Sequence, residues 1–350
     1  MLKIVTVCKD IGGANVVAPI AQVLSSQGHE VFPVVEGMAA SRWLHICSVP
    51  PIFRGSDDYR EDRFSPEVEL TLWQYRPDVV VVGEGFPNHL EGKFARAAQT
   101  RHIPLVLVED FWGGFRRITG LHQPPDLVLT LDEYAASLAR QEFGRRTRIS
   151  IVGNPGVRMD VEPAPEVALM RATGDLVITF CGGGSETAEQ IELLSQCLAV
   201  TSREWKLIPR WHPKVAELPD PENGSRPYRE TWDALLAPLG DRVVRVDGPP
   251  TKRVVVASDR FVAGFSTLLT TGAKAGVVAV ALVTPAVQRS LLEESGLSEV
   301  PQVALGVADL VVNAVDLVLL KPCSREVRAR LMPFDPAVGA AAICDLVEGR

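Results

Sequence analysis

Short apolar runs alternate with amphipathic stretches along nearly the whole chain, and this alternation limits the fold more than any other feature. The clearest run, Val79-Val80-Val81-Val82, has no polar residue on either side of the pleat. It reads as a strand covered on both faces, as strands of parallel sheets are. The same logic places strands at 2–8, 30–36, 78–83, 105–109, 127–130 and 149–152, then at 176–181, 206–210, 242–246, 260–263 and 277–283. Helical patterns fill the intervals: 14–27 closed by Gly28, then 66–75, 89–100, 133–143 capped by Asp132, 188–200, 230–237 and 268–275. The end of the chain is expected to be helical at 308–320, 324–331 and 337–347. Such alternation implies α/β architecture with parallel sheets and helices on both faces.

The rhythm breaks once. Residues 153–165 contain three prolines and little apolar periodicity, and the βα pattern restarts after them. A chain of 350 residues exceeds the usual single-domain size. The expectation is therefore two Rossmann-like domains, 1–155 and 166–330, facing across a cleft, with a C-terminal helix at 331–350.

A net charge of −7 argues against a general nucleic-acid binder, which would show a basic excess. The six cysteines show neither CxxC pairing nor metal-ligand spacing, which fits a reducing cytosol, and a cytoplasmic protein is expected. The segment Met1 to Cys8 reads as a first strand and not as a signal peptide. The longest apolar stretch is far below a membrane span, so no transmembrane segment is expected.

In an open α/β sheet, ligands sit beyond the carboxyl ends of the strands. Three strand-end segments of the second half would share one crevice. Trp211-His212-Pro213-Lys214 brings an imidazole and an ammonium, with Arg210 just ahead. Gly264-Phe265-Ser266-Thr267 brings a glycine, two hydroxyls and the start of a helix. Cys181-Gly182-Gly183-Gly184-Ser185-Glu186-Thr187 follows a third strand. Imidazole, cation, hydroxyl and free N–H groups together make a cradle for phosphate oxygens. The competing readings are a histidine satisfied inside the fold and a plain N-cap at Ser266 and Thr267.

Strand ends of the first half carry carboxylates. Asp10 precedes Gly12-Gly13-Ala14-Asn15, a turn that lacks GxGxxG spacing and so reads as a tight turn more readily than as a cofactor loop. Glu84 lies between Gly83 and Gly85, and Glu109-Asp110 leads into Phe111-Trp112-Gly113-Gly114. Neighbouring carboxyl groups with separated pKa values suit acid–base chemistry, and an aromatic can stack on a sugar or base. The alternative is a solvated loop with a hydrophobic anchor. The Arg116-Arg117 pair reads as surface charge. No acidic metal cluster is visible, so no metal is expected.

These residues resemble the GT-B superfamily of glycosyltransferases and the related UDP-N-acetylglucosamine 2-epimerases. The resemblance rests on Gly12-Gly13 with Pro19, Gly28-His29-Glu30-Val31, Gly153-Asn154-Pro155-Gly156, His212-Pro213, and Ser266 to Val280, which looks like a donor-binding helix. The His-Pro and Ser/Thr motifs look most like those of bacterial sialyl-, Kdo- and polyglycerolphosphate-type transferases, where they hold the donor phosphate. The resemblance implies an acceptor domain at 1–155 and a nucleotide-sugar donor domain at 166–330. It implies donor contacts at Gly183, Gly184, Ser185, Arg210, His212, Lys214, Gly264, Ser266, Thr267 and Thr271. A base would come from Glu109, Asp110 or Glu84, with Asp10 in reserve, and the acceptor would meet Gly13, Asn15 and Trp112.

Many inverting members carry a ribose-binding glutamate where this chain has Thr271, and the epimerases carry paired glutamates where it has Thr270-Thr271. The expected function is therefore a glycosyltransferase, inverting and metal-independent, moving a sugar from a nucleotide-sugar to a hydroxyl of a small molecule or glycan. No cofactor is implied beyond that co-substrate, and a homodimer is compatible with the reading. The alternatives are a sugar-nucleotide epimerase or isomerase, and a nucleotide-sugar-binding protein without catalysis.

Overall fold

The computed structural model describes residues 1–52, 66–85, 89–157, 161–184, 186–264, 266–283, 303–306 and 315–349. They form two compact units, Met1–Pro155 with Met332–Arg350, and Gly156–Leu331.

The first unit is built on six parallel strands: β1 (Lys3–Cys8), β2 (Glu30–Val35), β3 (Val79–Val82), β4 (Leu105–Val108), β5 (Leu127–Thr130) and β6 (Arg148–Ile151). Their order across the sheet is β2-β1-β3-β4-β5-β6. The four valines of β3 explain themselves in this setting. Val79 and Val81 join a core with Ile20 and Leu24 of the helix Ile11–Ser26, while Val80 and Val82 join Phe94 and Leu107 on the other face. Fully burying each such side chain contributes about 1.5–3 kcal/mol.

The end of the chain returns to this unit. Ala340, Ile343 and Leu346 of the helix Pro336–Glu348 enter the same core as Ile20 and Leu24. Asp335 caps that helix by accepting from the Ala337 N–H at 2.9 Å, and its own N–H donates to the Val152 carbonyl at 2.7 Å. The apolar periodicity of 337–347 marks a helix, but not the core that receives it.

The second unit carries β7 (Leu176–Gly182), β8 (Trp205–Trp211), β11 (Arg260–Ala263), β12 (Val278–Val283) and β13 (Val303–Gly306), all parallel, in the order β13-β12-β11-β7-β8. A small antiparallel pair, β9 (Pro219–Asp220) and β10 (Arg226–Pro227), stands apart from it. Leaving that pair aside, both sheets wind alike: the second strand lies on one side of the first, and the later strands on the other. The winding reverses between β1 and β3 in one unit, and between β7 and β11 in the other. Such a reversal opens a crevice at the carboxyl ends of the strands, where doubly wound sheets bind ligands.

The strand expected at 242–246 does not form. Val243 makes a single bridge to Leu207, and the carbonyls of Val246 and Pro249 are taken by the Arg210 side chain. Of the helix expected at 308–320, residues 308–314 lie outside the described residues, and 315–320 are turns and irregular backbone. No helix among the described residues is long and apolar enough to cross a membrane.

Candidate functional site

In the second unit, the loops after β7, β8 and β11 enclose a cavity of about 230 Å³. His212, Gly183, Gly184, Gly264, Ser266 and Arg210 all line it. The two motifs separated by a long stretch of sequence thus meet at the reversal of the sheet. The His212 main chain is held firmly: its N–H donates to the Gly182 carbonyl at 2.8 Å, and its carbonyl accepts from Val215 and Ala216 at 3.0 Å. Gly183 must be a glycine for this approach, because a Cβ there would come within 2.3 Å of His212 Cβ. Ser266 Oγ accepts from the Leu268 N–H at 3.2 Å, which leaves its own O–H to donate.

Several expected donor contacts take other roles. The N–H groups of Gly183 and Gly184 donate to Thr187 Oγ1 at 2.9 and 3.1 Å, so the glycine loop is braced from within. Arg210 lines the cavity, yet its guanidinium donates to the carbonyls of Val246 and Pro249 and to Thr251 Oγ1. It fastens the segment that a strand would otherwise occupy. Thr267 takes the N-cap position of the helix Leu268–Lys274 without a side-chain capping bond. Thr271 is buried, and its hydroxyl donates to the Gly156 carbonyl. Ser185 and the Lys214 side chain lie outside the described residues. Burial pushes the Cys181 thiol up to about 12 against the pull of Arg210, so this cavity-lining cysteine stays a thiol and is no nucleophile.

The first unit gathers carboxyl groups at the equivalent edge. Glu84 follows β3, Glu109 and Asp110 follow β4, and Asp10 follows β1. Glu84 and Glu109 are almost wholly buried, while Asp110 keeps some exposure. Glycines make the room. A Cβ at Gly114 would fall 1.6 Å from Glu84 Oε2, and one at Gly12 would fall 1.6 Å from Asp110 Oδ2. Gly12, after β1, is thus a close-approach position for a carboxylate.

Glu84 is held well above the ordinary carboxylate range, first by burial and then by the charges of Asp110 and Glu109. A hydrogen bond joins the carboxyl groups of Glu84 and Asp110, raising the first and lowering the second. Asp110 is raised too, by burial, with the Arg117 guanidinium opposing. Glu109 is raised by burial, although its Oε1 accepts from the Gly113 N–H at 3.0 Å. Glu84 Oε1, Glu109 Oε2 and Asp110 Oδ1 have no hydrogen-bond partner among the described residues. Protonated and charged carboxyl groups side by side are the equipment of acid–base catalysis.

The acceptor contacts expected here divide. Gly13 lies against the end of β3, where a Cβ would meet the Glu84 carbonyl at 2.7 Å. Asn15 Oδ1 accepts from Arg42 Nε at 2.7 Å. Trp112 is only 5% exposed, and its indole N–H donates to Asp132 Oδ2 at 2.8 Å, so it is a core residue and not a stacking platform. Glu91, absent from the sequence reading, belongs to the cluster. It is buried, accepts from the Lys9 N–H at 2.8 Å, and burial raises its pKa to about 7. Its signal was a carboxylate within the apolar stripe Leu90, Phe94, Ala95 and Ala98 of the helix His89–Thr100.

No family model matches the chain, and no curated protein matches it. Solved structures match over its full length. MnaA of S. aureus, in a co-structure with UDP, aligns with a TM-score of 0.69 at 14% identity, covering 100% of this chain and 96% of that one. The UDP-GlcNAc 2-epimerase of Neisseria meningitidis bound to UDP-GlcNAc gives 0.64 at 13%, covering 99% and 100%. MurG of Acinetobacter baumannii gives 0.59 at 15%, covering 99% of both chains. The fold is GT-B. At these identities the likeness carries the fold alone, and this chain's chemistry must be read from its own residues.

Proposed function

We propose that this protein is a glycosyltransferase: its C-terminal domain holds a nucleotide-sugar, and its N-terminal domain supplies the base. The observation that carries the reading is the meeting of His212 and Ser266 on one cavity at the reversal of the second sheet. Solved neighbours of the same fold are described with UDP or UDP-GlcNAc bound. The imidazole and the Ser266 hydroxyl would donate to the nucleotide's phosphate oxygens and stabilise the charge that grows on them as the glycosidic bond breaks. A carboxylate of the Glu109–Asp110 pair would take the proton from the acceptor hydroxyl, whose oxygen then attacks the anomeric carbon. The sugar–oxygen bond to the phosphate breaks, and the nucleoside diphosphate departs with the electron pair. One displacement inverts the anomeric centre.

A second reading has a specific observation behind it. The first unit holds three carboxyl groups with raised pKa values at one strand edge, Glu84, Glu109 and Asp110, more than one deprotonation requires. An epimerase, which removes a carbon-bound proton and returns one, would use such a set. Incubation with UDP-, CDP-, GDP- and ADP-sugars in deuterated water separates the two. A transferase releases free nucleotide only when an acceptor is added, and the recovered donor carries no deuterium. Deuterium in the recovered sugar without acceptor would overturn the transferase reading in favour of epimerisation.

A further inference from the structure

Glu91 stands in the first turn of the helix His89–Thr100 and is wholly buried, yet its carboxyl group reaches two loops outside that helix. Oε1 accepts from the Lys9 N–H at 2.8 Å, in the loop after β1. In the loop after β3, a Cβ at Gly85 would fall 2.4 Å from Oε1 and 3.2 Å from Oε2, so Gly85 gives the carboxyl group its room. The Lys9 carbonyl is taken as well, accepting from the Ala39 N–H at 3.1 Å. Both polar groups of the Lys9 main chain are thus fixed from outside the loop, and Asp10 is the next residue. Asp10 occupies the N-cap position of the helix Ile11–Ser26 without a side-chain capping bond, so capping is not what aims its carboxylate.

Electrostatics place Asp10 within reach of two carboxyl groups. Glu91 is raised first by burial and then by the charge of Asp10, with Lys9 opposing. The Cys8 thiol is raised by burial, then by Glu91 and Asp10. Asp110 is raised by burial and by Asp10, while the hydrogen bond from Glu84 and the Arg117 charge pull it down. Asp110 in turn raises Glu109. A carboxyl group whose pKa is lifted toward the working pH is the stronger base.

We propose that Glu91 is a positioning residue: by clasping the loop after β1 to the loop after β3, it sets the carboxylate of Asp10 beside Asp110. Its consequence for catalysis rests on the transferase reading given above, in which Asp110 belongs to the pair that deprotonates the acceptor. Glu91 itself touches no reacting atom.

Urea unfolding of the full chain at about pH 8 tests the placement without any ligand. Asp10→Asn and Asp110→Asn form a double-variant cycle, built in the wild type, in Glu91→Gln, in Glu91→Met and in Gly85→Ala. Like charges repel, and either change relieves the same repulsion, so the double variant of the wild type should gain less than the sum of the singles. Glutamine keeps an oxygen for the Lys9 N–H and should keep that coupling. Methionine fills the space without a strong acceptor and should abolish it. Gly85→Ala should abolish it too, because its Cβ displaces Glu91, and it serves where Glu91→Met does not fold. Coupling absent from the wild type, lost in Glu91→Gln, or undiminished in Glu91→Met or Gly85→Ala overturns the proposal. The catalytic consequence is read from nucleotide release against pH, with the nucleotide-sugar that the wild type binds and with glycerol and methyl glucoside as acceptor probes. The acid limb of kcat/KM should move to lower pH equally in Asp10→Asn and Glu91→Met, no further in the double variant, and not at all in Glu91→Gln. A limb that stays in place in Asp10→Asn while the unfolding cycle shows the coupling would remove Asp110 as the base and leave the placement standing.

Discussion

Glu91 offers a test of the electrostatics that the first unit's chemistry depends on. Its side chain is wholly buried, Oε1 is held by the Lys9 N–H, and Oε2 has no partner among the described residues. Burial is the main cause that moves its pKa from 4.5 to about 7. A folded-state pKa above the unfolded one means that the native state binds more protons between those values. Stability is then fully present below about pH 4.5 and falls as pH rises through about 7. At about 1.4 kcal/mol per pKa unit, the loss across that window is roughly 3 kcal/mol. Glu91→Gln keeps an oxygen for the Lys9 N–H and cannot ionise. Urea unfolding of both proteins, followed by tryptophan fluorescence at about pH 5 and about pH 8, isolates the effect, because any fixed cost of the amide cancels in the comparison. The variant should gain roughly 2–3 kcal/mol on the wild type between the two conditions. A difference between variant and wild type that is the same at both pH values would refute the argument that burial raises the carboxyl groups of this unit.

Gly183→Ala should reduce nucleotide binding by about tenfold or more, because the new Cβ displaces His212; a strain of about 1–3 kcal/mol should lower the melting temperature as well. Wild-type affinity in that variant would show that the close approach does not matter. Replacing Glu84 or Glu109 by glutamine, or Asp110 by asparagine, should reduce turnover roughly 10²–10⁴-fold for the acting group, with nucleotide affinity measured by calorimetry nearly unchanged. Full turnover in all three variants would place the base elsewhere.

Much of the fold was legible because a strand buried on both faces must be apolar throughout, and β3 is four consecutive valines. The candidate site was legible for a related reason: parallel strands place their carboxyl ends on one edge, so His212 and Ser266 could be brought together without knowing any contact between them. What escaped was set by hydrogen bonds over long separations. Arg210 looks like a phosphate ligand until its guanidinium is seen fastened to Val246, Pro249 and Thr251. Thr271 looks like a donor contact until its hydroxyl is found on Gly156. Trp112 follows a strand end, yet the bond to Asp132 turns it inward. Glu91 was hidden in a helix that also buries Leu90, Phe94, Ala95 and Ala98, and composition does not reveal which of its polar residues are buried.

The central claim is that the cavity after β7, β8 and β11 binds the phosphates of a nucleotide through His212 and Ser266. Calorimetric titration of a nucleoside diphosphate into wild type, His212→Ala, Ser266→Ala and the double variant tests it most directly. Each single change should weaken binding, His212→Ala by roughly 10- to 150-fold, as loss of a hydrogen bond to a charged group implies, at unchanged melting temperature. The double variant should lose less than the sum of the two, because both groups hold one anion. Wild-type affinity in His212→Ala, or a lowered melting temperature with affinity intact, would make His212 a structural residue and contradict the account.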